Sequence, residues 1–99
     1  SVQELKEALD AGGLTLVDVR TDEEREKASI DGALPMNADL MSKLEAMPKD
    51  TPIAFLCHSG GRSNVAAEHF RSQGFSKVAN VAGGIDAWSR EIDPNVPTY

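Results

Sequence analysis

One cysteine stands where a thiol could act as a nucleophile. Cys57 closes the apolar run Ile53-Ala54-Phe55-Leu56 and is followed by His58-Ser59-Gly60-Gly61-Arg62-Ser63. The apolar run reads as a buried strand, the two glycines as a tight turn, and the amphipathic run from Asn64 as a helix whose N-terminus faces back toward the sulfur. Unpaired N–H groups at a helix start carry about half a positive charge and favour anions. Glycines let successive N–H groups turn inward as a concave nest, and Arg62 adds a full charge. A thiol in such a nest loses its proton easily and becomes nucleophilic. Cys57 is therefore the candidate catalytic residue. His58, Ser59, Gly60, Gly61, Arg62 and Ser63 form the candidate substrate-binding loop.

Composition narrows the chemistry further. Ninety-nine residues, 40% apolar and 26% charged, suit one domain spanning 1–99 with a single core. A lone cysteine makes no internal disulfide, and His58 and His69 are the only histidines, so no zinc-type ligand cluster is expected. Neither a metal nor an organic cofactor is called for. The net charge of −6 argues against nucleic acid and against anionic membrane surfaces as partners. It also opposes long-range steering of an anionic substrate, so any anion affinity must be local. No run approaches the ~20 apolar residues of a membrane helix and no signal-peptide pattern opens the chain, which leaves a cytoplasmic location as the default expectation.

The elements that must position Cys57 follow in order. Ser1-Val2-Gln3-Glu4 has capping-box spacing ahead of a helix with Val2, Leu5, Ala8 and Leu9 on one face, ended by Gly12-Gly13. Leu14–Val19 is short and apolar, as a strand buried on both faces requires. Asp18 within it needs a partner, and hydrogen bonds near the strand end are favoured over direct contact with substrate. Thr21 suits the N-cap of a short charged helix, and Asn37 or Asp39 that of a second over Leu40, Met41, Leu44 and Met47. A brief extended piece is expected near Ala33. After the cysteine loop come a helix to Gly74, a strand at 77–81, the Gly83-Gly84 turn and a final helix framed by Ile85, Trp88 and Ile92, with Trp88 as core anchor and His69 on a helix face. Strands alternating with helices predict a parallel α/β sheet whose ligands sit at the carboxyl ends of strands. Asp18–Arg20, Cys57–Ser63 and Ala82–Gly84 should converge on that rim, with Arg20 as a further substrate-binding candidate and Asp18 as a structural neighbour.

Four landmarks in this order resemble the rhodanese-like domain family: Val17-Asp18-Val19-Arg20, Asp31-Gly32-Ala33, Cys57-x-x-Gly60-x-Arg62-Ser63, and Gly83-Gly84 with Trp88. The resemblance covers about Val2 to Trp88. It implies a three-layer fold, a central mostly parallel sheet with helices on both faces, and a cysteine that carries sulfur as a persulfide. Ala28-Ser29-Ile30 stands where the family usually has Gly-His-Ile, a change that bears on local packing. The family's first short strand normally precedes the first helix. Its lack before Ser1 suggests an excised domain, and single rhodanese domains joined to a glutaredoxin-like domain are an arrangement this chain is similar to.

The resemblance implies a cycle in which Cys57 takes the outer sulfur of thiosulfate or a persulfide donor. The sulfur then passes to cyanide or to a thiol acceptor, which could be a fused or separate glutaredoxin- or thioredoxin-like domain. Arg62 either binds the donor's oxyanion end or braces the loop carbonyls. Ser63 is expected to cap the following helix with its hydroxyl within reach of the sulfur, while His58 and Ser59 point outward. Two alternatives stand beside this. A cysteine-based phosphatase or arsenate reductase also closes its anion loop with arginine, but only four residues separate Cys57 from Arg62, a cradle sized for sulfur better than for a tetrahedral oxyanion. A non-catalytic regulatory or interaction module is the other.

Overall fold

The computed structural model describes residues 2–30, 32–58, 61–81 and 83–97. Within them helix and strand alternate as the hydrophobic periodicity requires: α1 (Val2–Ala11), β1 (Thr15–Asp18), α2 (Asp22–Lys27), β2 (Leu34–Pro35), α3 (Ala38–Glu45), β3 (Ile53–Leu56), α4 (Gly61–Ser72), β4 (Val78–Asn80) and α5 (Gly84–Glu91). The capping box expected at Ser1 lies outside the described residues, as do Asp31, Ser59, Gly60 and Ala82.

The strands form one sheet in the order β2-β1-β3-β4, and each neighbouring pair is parallel. β3 is central because all four of its residues are apolar and buried, which only a strand covered on both faces can sustain. Alternate side chains then divide between two cores. Leu16, Ala54 and Leu56 point to one face, where Val2 and Leu5 of α1 and Ile85 and Trp88 of α5 cover them. Val17, Ile53 and Phe55 point to the other, under Leu44 of α3 and Ala67 and Phe70 of α4. This is the expected three-layer arrangement.

Local signals set the helix starts. Thr21 Oγ1 accepts from the Glu24 N–H while Glu24 answers the Thr21 N–H, a complete capping box. Of the two candidates at the next helix, Asn37 is the cap, its Oδ1 accepting from Leu40 N at 2.8 Å. The extended piece near Ala33 is β2. Trp88 is buried in the core and His69 lies exposed on α4, both as read from spacing.

Phe70 is the centre of the second core. Its ring lies 5.2 Å from Phe55 in a stacked pair and 5.3 Å from Phe75 edge-to-face. Phe70→Ala removes both contacts beneath the strand that carries Cys57. It is expected to lower stability by about 3–5 kcal/mol, read from urea unfolding midpoints.

Candidate active site

Strand parity and register bring the site together. Cys57 follows Phe55 by two positions, so its side chain takes the α4 face of the sheet. α4 presents a buried stripe to that face, Ser63, Ala67 and Phe70 at the i, i+4, i+7 spacing of one helix side. Ser63 is the polar member of the stripe nearest the helix start, and its Oγ lies 3.3 Å from Cys57 Sγ. On the other neighbour, β4 registers Asn80 opposite Phe55. Paired residues of a parallel sheet share a face, so Asn80 also points toward α4, and its Oδ1 accepts from Ser63 Oγ. Cys57 is only 1% exposed, and Ser63 is fully buried beside it.

The opposite side of the loop is held by α5. The carbonyl of Cys57 accepts from Ile85 N at 2.9 Å and that of His58 from Asp86 N at 3.1 Å. These bonds satisfy N–H groups at the start of α5 that have no partner within the helix. In a trans peptide the N–H points opposite to the C=O. With the Cys57 carbonyl committed to α5, the His58 N–H is directed away from α5, toward the face that holds the sulfur. The approach is close enough to require glycine. Gly84 has φ +58°, and a Cβ there would sit 2.3 Å from the Cys57 carbonyl oxygen and 2.5 Å from that of His58.

The three strand ends converge, but not with the roles expected of each residue. Arg20, predicted among the substrate-binding residues, is an interior bolt. Its Nε and Nη2 hold the two carboxylate oxygens of Asp18 at 2.9 and 2.6 Å, and neither side chain is exposed. Nη2 also donates to the Ala28 carbonyl at 2.7 Å, tying β1 to the end of α2. The geometry follows from two residues of spacing at a strand end, where the chain turns and the guanidinium folds back over the carboxylate. Asp18 thus finds its partner within the fold, as its burial demanded.

Arg62 also meets a carboxylate. Its two Nη atoms donate to Glu24 Oε1 and Oε2 at 2.6 and 2.7 Å, so the start of α4 is clasped to the first turn of α2. Ser63 is not the cap of its helix: α4 begins at Gly61, before the expected start at Asn64, and Ser63 sits inside its first turn. Its hydroxyl meets Cys57 Sγ and Asn80 Oδ1 rather than a backbone N–H of its own helix start in the way a cap would. His58 is half-buried, with its ring Nε2 shielded from solvent rather than pointing outward. Glu24 and Asn80 were not legible as site residues. The signal for Glu24 was the Thr21-x-x-Glu24 box that fixes its direction. The signal for Asn80 was an amide at the carboxyl end of an otherwise apolar strand, where strand propensity disfavours it. Among the described residues no group of side chains could hold a metal ion, and no helix is long and apolar enough to cross a membrane.

A parallel three-layer sheet with a cysteine loop at the carboxyl end of its central strand, backed by a glycine-tight helix start, defines a class of α/β domain. The chain belongs to the rhodanese-like domain family, whose pattern matches residues 1–91. It is 40% identical over 96 residues to the putative sulfurtransferase YtwF of Bacillus subtilis, covering 95% of this chain and 92% of that one. It is 44% identical over 92 residues to the Rhodanese-like/PpiC domain-containing protein 12, chloroplastic, of Arabidopsis thaliana; the match covers 85% of this chain but spans only 30% of that relative's length. The crystal structure of a rhodanese-like domain protein from Staphylococcus aureus superposes with a TM-score of 0.73 at 30% identity, covering 98% of this chain and 93% of that one.

Substitutions at two positions test the geometry. Gly84→Ala places a methyl group against two backbone carbonyls at a positive φ and is expected to lower stability by about 2–4 kcal/mol in urea unfolding. Glu24→Gln keeps an acceptor oxygen for the capping box but leaves Arg62 one hydrogen bond in place of two, since the amide nitrogen donates and cannot accept from the second Nη, at a cost of up to about 1 kcal/mol. Glu24→Ala loses the Glu24 side-chain half of the capping box together with the clasp, about 1–2 kcal/mol, while Thr21 Oγ1 still accepts from the backbone N–H. Each kcal/mol should lower the melting temperature by ~4–8 °C in a domain of this size.

Proposed function

We propose that this domain is a sulfurtransferase that carries sulfane sulfur as a persulfide on Cys57. The observation that carries the reading is the seating of the sulfur: at the end of the central strand, within reach of a buried hydroxyl, with the adjoining carbonyls drawn off by α5. A thiolate so placed meets donors and few acceptors, as does the persulfide anion that follows it. Relatives with sulfurtransferase in their names support the same class of chemistry.

In the first half-reaction the Cys57 thiolate attacks the outer sulfur of thiosulfate. The Cys57 Sγ–S bond forms, the S–S bond of the donor breaks, and sulfite leaves with the bonding pair. In the second, cyanide or a thiolate attacks the terminal sulfur, the persulfide bond breaks, and Cys57 leaves as the thiolate. Charge balances at each step and no outside oxidant or reductant is needed. Cys57 is nearly enclosed, so a small anionic donor suits the first attack better than a bulky one. The terminal sulfur of the persulfide stands one S–S bond, about 2 Å, farther out and is the atom offered to the acceptor. The acceptor proposed is a thiol, free or on a glutaredoxin- or thioredoxin-like domain, in a reducing cytoplasm. In this reading Arg62 braces the loop through Glu24, Arg20 and Asp18 position the end of β1, and the amides of the loop hold the anion.

Mass spectrometry after incubation with thiosulfate tests this. Wild type should gain one sulfur atom and Cys57→Ser none, and cyanide should remove the gain as thiocyanate. No gain on either protein would instead identify a non-catalytic interaction module. Release of phosphate from an aryl phosphate without thiocyanate formation would identify a cysteine phosphatase.

A further inference from the structure

On the side of the sheet away from Cys57, a cavity of about 380 Å³ opens between α1, α5 and the segment that follows α5. Small-molecule sites occupy about 300–1,000 Å³, so it has the room of one. Its apolar wall is Leu9 of α1, Ile30, Val96, and Trp88 of α5, residues of the core that also holds Leu16 and Leu56. A turn holds Val96 in place. Asp93 N donates to the Trp88 carbonyl at 3.0 Å, Asn95 N to Asp93 Oδ1 at 3.0 Å, and Val96 N to the Asp93 carbonyl at 3.1 Å. The same turn fixes the Asp93 carboxylate at the border of the cavity, just past the end of α5.

Two groups there are left for a ligand. Lys6 and Asp10, one turn apart on α1, pair at 2.9 Å and cancel, whereas Asp93 has no ion-pair partner among the described residues. Its Oδ1 takes the Asn95 N–H, and its Oδ2 accepts from no protein group among them. Trp88 is only 8% exposed, yet its indole N–H donates to no protein group among the described residues. Nor is that nitrogen sealed in the interior, so it opens onto the cavity that Trp88 lines. A donor in so dry a place gains from an acceptor that a ligand brings. We propose that this cavity binds an organic amine, a primary ammonium compound with a flat apolar body and an oxygen acceptor. Asp93 takes the ammonium in a charge-assisted hydrogen bond, the body lies against Leu9, Ile30 and Val96, and the Trp88 N–H donates to the oxygen. An organic acid of the same shape meets the uncancelled charge of Asp93 and is repelled. The proposal does not rest on the sulfur-transfer reading.

The chain has one tryptophan, so its indole N–H gives one signal of its kind in a nitrogen–proton correlation spectrum, and that signal is the readout. Tyramine is the probe. Phenethylamine lacks its oxygen, 4-ethylphenol lacks its charge, and 3-(4-hydroxyphenyl)propanoate carries the opposite charge. Tyramine should move the indole signal and the backbone signals of Asp93, Asn95 and Val96 saturably, with half-effect below about 10 mM. Phenethylamine should move the backbone signals but the indole proton far less. 4-Ethylphenol should bind about five- to ten-fold more weakly than tyramine, and the propanoate more weakly still. An indole signal that tyramine leaves in place overturns the proposal, and so does a propanoate that binds as well as tyramine.

Asp93→Asn separates the charge from the turn, because asparagine keeps an oxygen for the Asn95 N–H. It should weaken tyramine about five- to ten-fold and leave 4-ethylphenol within about two-fold of wild type. Unchanged tyramine binding, or an equal loss for both ligands, overturns the proposal. Trp88→Phe keeps an aromatic wall and removes the donor, and the backbone signals of Asp93, Asn95 and Val96 then serve as readout. Tyramine should lose its advantage over phenethylamine in that variant, and an advantage that persists overturns the proposal. If Trp88→Phe does not fold, Asp93→Asn and the series of probes on wild type still decide it.

Discussion

The site depends on one close approach, the start of α5 lying against the carbonyls of Cys57 and His58. A strand that ends in the open leaves its next peptides free to rotate, and a nest of N–H groups then forms only by chance. Here Ile85 N and Asp86 N fix those two carbonyls, so the matching N–H of His58 is turned to the sulfur side without help from any side chain. The approach is possible because position 84 has no Cβ and takes a positive φ. It is set up by the neighbouring strand, since Val81 N bonds the Phe55 carbonyl at 2.9 Å and delivers the β4–α5 turn alongside the end of β3. Register, glycine and helix start therefore form one chain of cause from the sheet to the sulfur.

Charge around the loop is distributed differently from what composition suggests. Two arginines stand near the site, and each is matched to a carboxylate: Arg20 to Asp18 in the interior and Arg62 to Glu24 at the partly exposed junction of α2 and α4. In a protein of net charge −6, the sulfur-transfer proposal therefore assigns the holding of an anion to oriented backbone dipoles and to the Ser63 hydroxyl. Such groups act over the first turn of a helix and little beyond it. They favour an anion already seated more than one arriving from a distance. Pairing also protects the fold, since an unmatched guanidinium beside a buried strand end would be costly.

The sequence made the architecture legible because burial on both faces leaves a simple imprint. Ile53–Leu56 has no polar residue, Gly12-Gly13 and Gly83-Gly84 fall where one element gives way to the next, and the apolar residues of the helices repeat at helical spacing. Cys57 was legible for the same reason, as the first reactive residue after a buried run. The limits appear where a side chain's partner is distant in sequence. Nothing in Arg20 says that it folds back on Asp18 and reaches the Ala28 carbonyl. Nothing near Arg62 names Glu24, which lies 38 residues away. Ser63 read as a cap because serine commonly caps helices. The helix instead begins at Gly61, and that shift moves the hydroxyl from the backbone to the sulfur.

Asn80 shows why partial legibility is physical rather than accidental. A parallel neighbour is joined through a crossover helix, so its register against β3 cannot be read from spacing along the chain. A shift of one residue would place Ala79 or Val81 opposite Phe55 and turn the amide to the α5 face. What fixes the register is the packing of Val78 with the Phe70 cluster on one face and of Val81 with Trp88 on the other. The apolar cores thus decide which polar groups meet. The hydroxyl and amide beside Cys57 are placed by hydrophobic contacts that take no part in the chemistry. The three meet only because one face of the sheet runs out of apolar residues where the cysteine begins the loop.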